Sequence, residues 1–232
     1  MITWQLDFLN LYHFDRHQIS ALEKLLEVLA GVEDRNLTAV TGKNRIINVH
    51  LRDSLSLLAF PEYINSHSVV DVGSGAGFPG LPLAIANPEK EFSLLESNGK
   101  KCAFLSSAIE ILGLYNVKVV QERAEVAARS DMRHCFDLAL ARAVGPLTVV
   151  LEYTMPLIKI GGFSLLQRGA YKQAEEENGR DVAAILGGSL VSIKSVTPFP
   201  GSTNLTVWIF RKIKPTPDRF PRRPGIPKKR PL

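Results

Sequence analysis

The chain has 232 residues, 45% of them hydrophobic and 22% charged, which suits one α/β domain with an appendage and is too apolar for wholesale disorder. Its two cysteines, Cys102 and Cys135, make neither a disulfide framework nor a cysteine-based metal pattern and read as reduced thiols. The net charge of +5 is uneven: residues 211–232 hold nine Lys/Arg against Asp218, while the other 210 residues hold nineteen basic and twenty-two acidic side chains.

The opening MITWQLDFLN has no basic stretch and no long apolar run, so it does not read as a signal peptide. Ile19, Leu22, Leu25, Leu26 and Leu29 fall at helical spacing and predict an amphipathic helix over 16–30. Ile47, Leu51, Leu55 and Leu58 predict a second helix over 44–60, so residues 1–62 read as an N-terminal helical segment. From Ser68 the pattern alternates. Strands are predicted at 68–72, 92–95, 117–120, 137–141, 163–166, 190–196 and 205–210. Helices are predicted between them at 80–86, 98–112, 124–129, 146–159 and 172–186. This alternation predicts an α/β fold over 63–212: a doubly wound, mostly parallel, seven-stranded Rossmann-like sheet. The longest uncharged stretch, Val72–Pro88, carries four glycines and three prolines and does not make a membrane helix of the usual ~20 apolar residues. A soluble, cytoplasmic protein without membrane partners is expected. Residues 213–232 form a basic, proline-rich tail suited to a polyanion; the competing expectation is that Pro221–Pro224 strap onto the body.

Ligands of such sheets bind at the carboxyl ends of the strands, so the segments just after each strand carry the candidate residues. The first is DVGSGAGFPG, residues 71–80. A dinucleotide fingerprint starting at Gly73 requires glycine at the place that Phe78 takes, and no Lys-Ser/Thr follows to make a phosphate-binding P-loop. The pattern is D-x-G-x-G-x-G, with Asp71 closing the strand. A carboxylate there repels a pyrophosphate and suits an ammonium group, such as the amino-acid end of S-adenosylmethionine. Missing Cβ atoms at Gly73, Gly75 and Gly77 allow close approach. Glu96 lies 19 residues after Gly77, at the end of the second strand, where an acid accepts ribose hydroxyls; it is expected to face solvent. After the third strand, Glu122-Arg123-Ala124-Glu125 is placed to reach an adenine edge. After the fourth, Arg142 interrupts an apolar run, either to pair with an acid such as Glu125 or to contact an anionic group of a ligand.

Ala141-Arg142-Ala143-Val144 stands where methyltransferases acting on exocyclic amines carry Asn/Asp-Pro-Pro-aromatic. Cys135 lies at the entrance of its strand, the wrong end for a nucleophile that attacks cytosine. An intrinsically nucleophilic acceptor such as guanine N7, which needs no general base, is therefore expected.

Several motifs occur together and in order: Asn36-Leu37-Thr38-Ala39-Val40; His50, Asp53 and Ser54 in an R-H-x-x-D-S pattern with Val49 for its Arg; the 71–80 loop; Arg123-Ala124-Glu125; Ala141-Arg142-Ala143-Val144; and Arg211-Lys212-Ile213-Lys214-Pro215 with Pro221-Arg222-Arg223-Pro224-Gly225. In these the sequence closely resembles the bacterial family of small-subunit ribosomal RNA guanine-N7 methyltransferases, once called glucose-inhibited division protein B. The resemblance implies the class I S-adenosylmethionine-dependent methyltransferase fold and methyl transfer to N7 of guanosine 527 in 16S ribosomal RNA. It implies a cofactor site at Asp71, Gly73, Gly75, Gly77, Phe78, Glu96, Ser97, Asn98, Ala124, Glu125 and Arg142. Substrate positioning would fall to His50, Asp53, Arg142 and Arg168, and RNA contact to Arg168, Lys212, Lys214, Arg222 and Arg223. Arg168-Gly169 replaces the usual Lys-Gly, and Thr203 stands where Arg is common. Alternatives are a different methyl acceptor and a non-catalytic RNA-binding assembly factor.

Overall fold

The computed structural model describes residues 6–31 and 45–232. Seven strands form one sheet: β1 (Ser68–Val72), β2 (Glu91–Glu96), β3 (Val117–Gln121), β4 (Phe136–Arg142), β5 (Ile158–Arg168), β6 (Gly188–Val196) and β7 (Leu205–Lys212). Their order is β3-β2-β1-β4-β5-β7-β6, with β1 to β5 parallel and β7 antiparallel to both of its neighbours. β1 lies between β2 and β4, with Val69 opposite Phe92 and Leu138, so the strand order reverses there. That switch point opens a crevice at the carboxyl ends of the strands.

Among the helices are α1 (Arg16–Ala30), α2 (Gly80–Ala86), α3 (Gly99–Leu112), α4 (Ala124–Ala127), α5 (Leu147–Thr154) and α6 (Gln173–Ile185). α1 starts at an Asp15 capping box with Gln18, and its buried Leu22, Leu25, Leu26 and Leu29 share a core with Phe78 of the β1–α2 connection, Leu81 and Ile85 of α2 and Leu105 of α3. The N-terminal helices and the sheet thus bury their apolar faces against each other. On the opposite face, α5 and α6 cover Trp208 and Phe210 of β7. No helix among the described residues is long and apolar enough to cross a membrane.

Two segments depart from the sequence expectation. The helix expected over 146–159 ends at Thr154; Met155–Leu157 form one 3-10 turn and Ile158 already begins β5, because Pro156 has no N–H to continue the α ladder. The helix expected over 44–60 is divided: Ile46–Arg52 winds as a π turn, with the Asp53 N–H donating to the Asn48 carbonyl, and Ser56–Ala59 is 3-10.

The tail follows the competing expectation. It does not run free; it packs on the body, burying Thr216, Phe220, Pro221 and Pro227. A proline-rich segment has carbonyls without N–H partners of its own, so donors must come from elsewhere. Arg133 supplies them to Thr216 (2.7 Å) and Phe220 (2.9 Å), and Arg129 to Pro221 (2.9 Å). Lys212 is a correction to the expected RNA surface. It is fully buried, and its Nζ donates to the Met155 carbonyl at 2.6 Å and to the Thr216 hydroxyl. Burial, with the Arg133 charge nearby, lowers it to about 7.

Candidate active site

The glycine loop divides into two kinds of glycine. Gly73 and Gly75 have φ of +73° and +60°. A Cβ on Gly75 would meet nothing nearer than the Gly73 carbonyl at 3.8 Å, so this glycine faces open space that a ligand can enter. A Cβ on Gly77 would strike Leu81 at 2.3 Å, and one on Gly80 would strike Leu94 at 2.4 Å. Gly77 therefore serves helix packing rather than the ligand, which corrects its place among the cofactor contacts. Gly73 is also limited by the protein, since its Cβ would come within 2.9 Å of Val144.

Asp71 is buried beneath this loop. Its Oδ2 accepts from the Gly80 N–H at 3.0 Å, and its Oδ1 has no hydrogen-bond partner among the described residues. Burial pushes this carboxyl up to about 7. Glu96 is buried too, which corrects the expectation that it faces solvent. It ties two turns together, accepting from the Gly75 N–H (3.0 Å) and the Asn98 N–H (2.8 Å). Each oxygen keeps a lone pair for a ribose hydroxyl. Ser97 and Asn98 are exposed beside it, and the Asn98 side chain caps α3 through the Lys100 and Lys101 amides.

At β3 the Glu122 N–H donates to the Glu96 carbonyl at 3.1 Å, which holds the turn into α4 against the end of β2. Ala124 is half-buried there. The Glu125 carboxylate accepts from the Gly225 N–H of the tail at 2.9 Å, so its side chain belongs to the strap. Arg222 is likewise corrected as an RNA contact, because its guanidinium grips the fully buried Glu152 through both carboxylate oxygens at 2.6–3.1 Å. Lys214 and Arg223 remain exposed.

Arg142, at the end of β4, meets the π turn. It donates to the Val49 carbonyl (2.6 Å), the Asp53 carboxylate (3.0 Å) and the His50 Nδ1 (3.0 Å). Its acid is therefore Asp53 and not Glu125. The position where the resemblance lacks an arginine, Val49, takes part through its backbone alone. His50 stacks on Phe78 of the glycine loop with 4.7 Å between centroids. Burial, then the Arg142 charge, lowers His50 to about 4, so it is neutral at physiological pH. Arg168 bonds the Gly145 carbonyl at 3.1 Å and pairs with Glu175.

These residues surround a cavity of about 490 Å³ lined by His50, Asp53, Arg142, Gly145, Gln167 and Arg168, among others. Gln167 was missed in the sequence. The signal was there: it is a polar residue ending the apolar run of β5, as Glu96 ends that of β2. The motif at residues 36–40 lies outside the described residues.

A strand–glycine turn–helix with an acid at the end of the next strand, on this sheet order, defines a class I S-adenosylmethionine-dependent methyltransferase. Solved structures agree on the fold. The S-adenosylmethionine-dependent methyltransferase SibL superposes with a TM-score of 0.57 at 15% identity over 86% of this chain and 70% of that one. The 16S rRNA (adenine(1408)-N(1))-methyltransferase of Catenulisporales acidiphilia gives 0.53 at 17% identity over 66% and 89%. The family model GidB, rRNA small subunit methyltransferase G, matches residues 18–202, and the chain belongs to this family. The ribosomal RNA small subunit methyltransferase G of Alkaliphilus metalliredigens is 36% identical over 95% of this chain and 93% of its own length. That of Syntrophomonas wolfei subsp. wolfei is 44% identical over 79% and 85%.

Proposed function

We propose that this protein transfers a methyl group to N7 of guanosine 527 in the small-subunit ribosomal RNA of its own cytoplasm. The observation that carries this reading is the cavity beside the glycine loop. It holds two arginines, a carboxylate, a neutral histidine and an amide, and neither of the chain's two cysteines is among its lining residues.

Gly75, Glu96 and the 97–98 turn would hold S-adenosylmethionine, with the Asp71 carboxyl behind the loop, where a bound cation favours its ionised form. The buried Oδ1 of Asp71, without a partner among the described residues, and the open space at Gly75 both fit a cationic ligand lying on this backbone. Bound there, the cofactor supplies an activated methyl group on a sulfonium sulfur. Guanine N7 has an in-plane lone pair and no proton, so the chain need only orient the base and balance charge. Arg142, held by Asp53 and His50, fixes one wall of the cavity; Arg168, held by Glu175, fixes another. The Asp53 carboxylate, paired with Arg142, lines the same cavity and would offset positive charge developing on the purine. Arg168, Lys214 and Arg223 are the cations retained as RNA contacts.

The test is methyl transfer to 16S RNA from a strain lacking the modification, with the modified base mapped. Incorporation at N7 of guanosine 527 is the expected result. Incorporation elsewhere, or into protein or small molecules only, overturns it.

A further inference from the structure

We propose that Gln167 is a specificity-determining residue: it accepts a hydrogen bond from the 2-amino group of the target guanine. The inference rests on the guanine reading of the cavity above.

Gln167 is the penultimate residue of β5 and only 6% exposed, and it lines the cavity with His50, Asp53 and Arg142. Its Nε2 donates to the Asp53 backbone carbonyl at 2.8 Å. Because only the amide nitrogen can donate, this bond fixes which end of the side chain is which. The Oε1 is then committed to the other direction, and it is buried with no hydrogen-bond donor among the described residues. Native proteins seldom leave a buried acceptor unmet, and the ligand of a cavity is a usual source of the missing donor.

The sheet tells which edge of the base arrives there. N7 must point toward the glycine loop at the end of β1. β4 separates β1 from β5, so at ~4.8 Å per strand the Gln167 end lies about 10 Å away. The polar group of guanine farthest from N7 is its 2-amino group, a pure donor. An amide oxygen placed two strands from the methyl-donor site thus matches the far edge of a guanine whose N7 faces that site. Arg142 and Arg168, the other polar groups at these strand ends, are donors without acceptors and cannot take this role.

The experiment compares guanosine with inosine, which lacks only the 2-amino group, at the target position of 16S RNA built by ligation. The full-length protein and Gln167→Leu are both assayed at saturating S-adenosylmethionine. The wild type should favour guanosine by about tenfold in kcat/KM, and Gln167→Leu should show a ratio near one. Each ratio is internal to one protein, so partial unfolding of the variant does not alter it. A wild-type ratio near one, or an unchanged ratio in the variant, overturns the assignment. Calorimetry with GMP and IMP in the presence of S-adenosylhomocysteine gives a readout without turnover. If the RNA is not methylated but GMP is preferred by the wild type and not by the variant, Gln167 reads guanine and the reaction assignment fails. Equal binding of GMP and IMP to the wild type overturns the Gln167 assignment.

Discussion

Glu96 joins the cofactor's expected ribose site to the loop that holds it, since its two oxygens already secure Gly75 and Asn98. Glu96→Ala should therefore weaken S-adenosylmethionine binding by about 1.5–3 kcal/mol and also lower the melting temperature, as calorimetry and thermal melts will show. The glycines separate on the same logic. Gly75→Val should fold, at a cost of about 1–2 kcal/mol for its left-handed backbone, and lose cofactor binding. Gly77→Val should fail to fold stably, because its side chain would overlap Leu81. Circular dichroism with cofactor titration distinguishes the two. Asp71 gives a pH signature. Its carboxyl is raised from 3.8 to about 7, so the folded chain keeps a proton that the unfolded chain releases. That contribution is complete below the unfolded value and is lost as pH rises through about 7. Between about pH 5 and about pH 8 the cofactor-free wild type should lose melting temperature relative to Asp71→Asn.

The π turn Ile46–Arg52 and the end of β4 act as one unit. A π turn is wider than an α turn, and here the Val49 carbonyl, the His50 ring and, just beyond, the Asp53 carboxylate converge on one guanidinium. Arg142→Met leaves the largely buried Asp53 carboxylate without its partner, and should cost about 3 kcal/mol in urea unfolding. Asp53→Asn combined with Arg142→Met should recover part of that loss without restoring methyl transfer, since the cavity wall remains altered. The helix and strand periods around this unit were legible, because apolar spacing is a local property. The π geometry was not, since the same leucine and isoleucine spacing fits an α-helix.

Across the molecule, the C-terminal strap closes the face that carries α4 and α5. Arg222 neutralises the fully buried Glu152, Gly225 holds Glu125 at the start of α4, and Phe220 enters the core. Arg222→Met should lower the melting temperature and leave the salt dependence of RNA binding unchanged. Exposed Arg223 behaves oppositely if it meets a phosphate: Arg223→Ala should spare stability and reduce the log–log salt slope by about 0.7–0.9. Binding measured at several salt concentrations, beside thermal melts, checks both.

The sequence by itself determined the seven strands, the glycine turn after β1, the acid nineteen residues beyond Gly77 and the absence of an amine-type or cysteine-type catalytic motif. Each of these is written in neighbouring residues, where period, missing Cβ atoms and charge act directly. Only the tertiary structure decided that Arg142 pairs with Asp53 rather than Glu125, that Lys212 and Arg222 turn inward, and that Gln167 shares a cavity with His50. A basic residue in a proline-rich tail reads the same whether it meets water, RNA or a buried carboxylate. The choice was made by partners far away in the chain: Arg133 and Arg129 satisfying the strap's carbonyls, and Glu152 left in the core with a charge that had to be met.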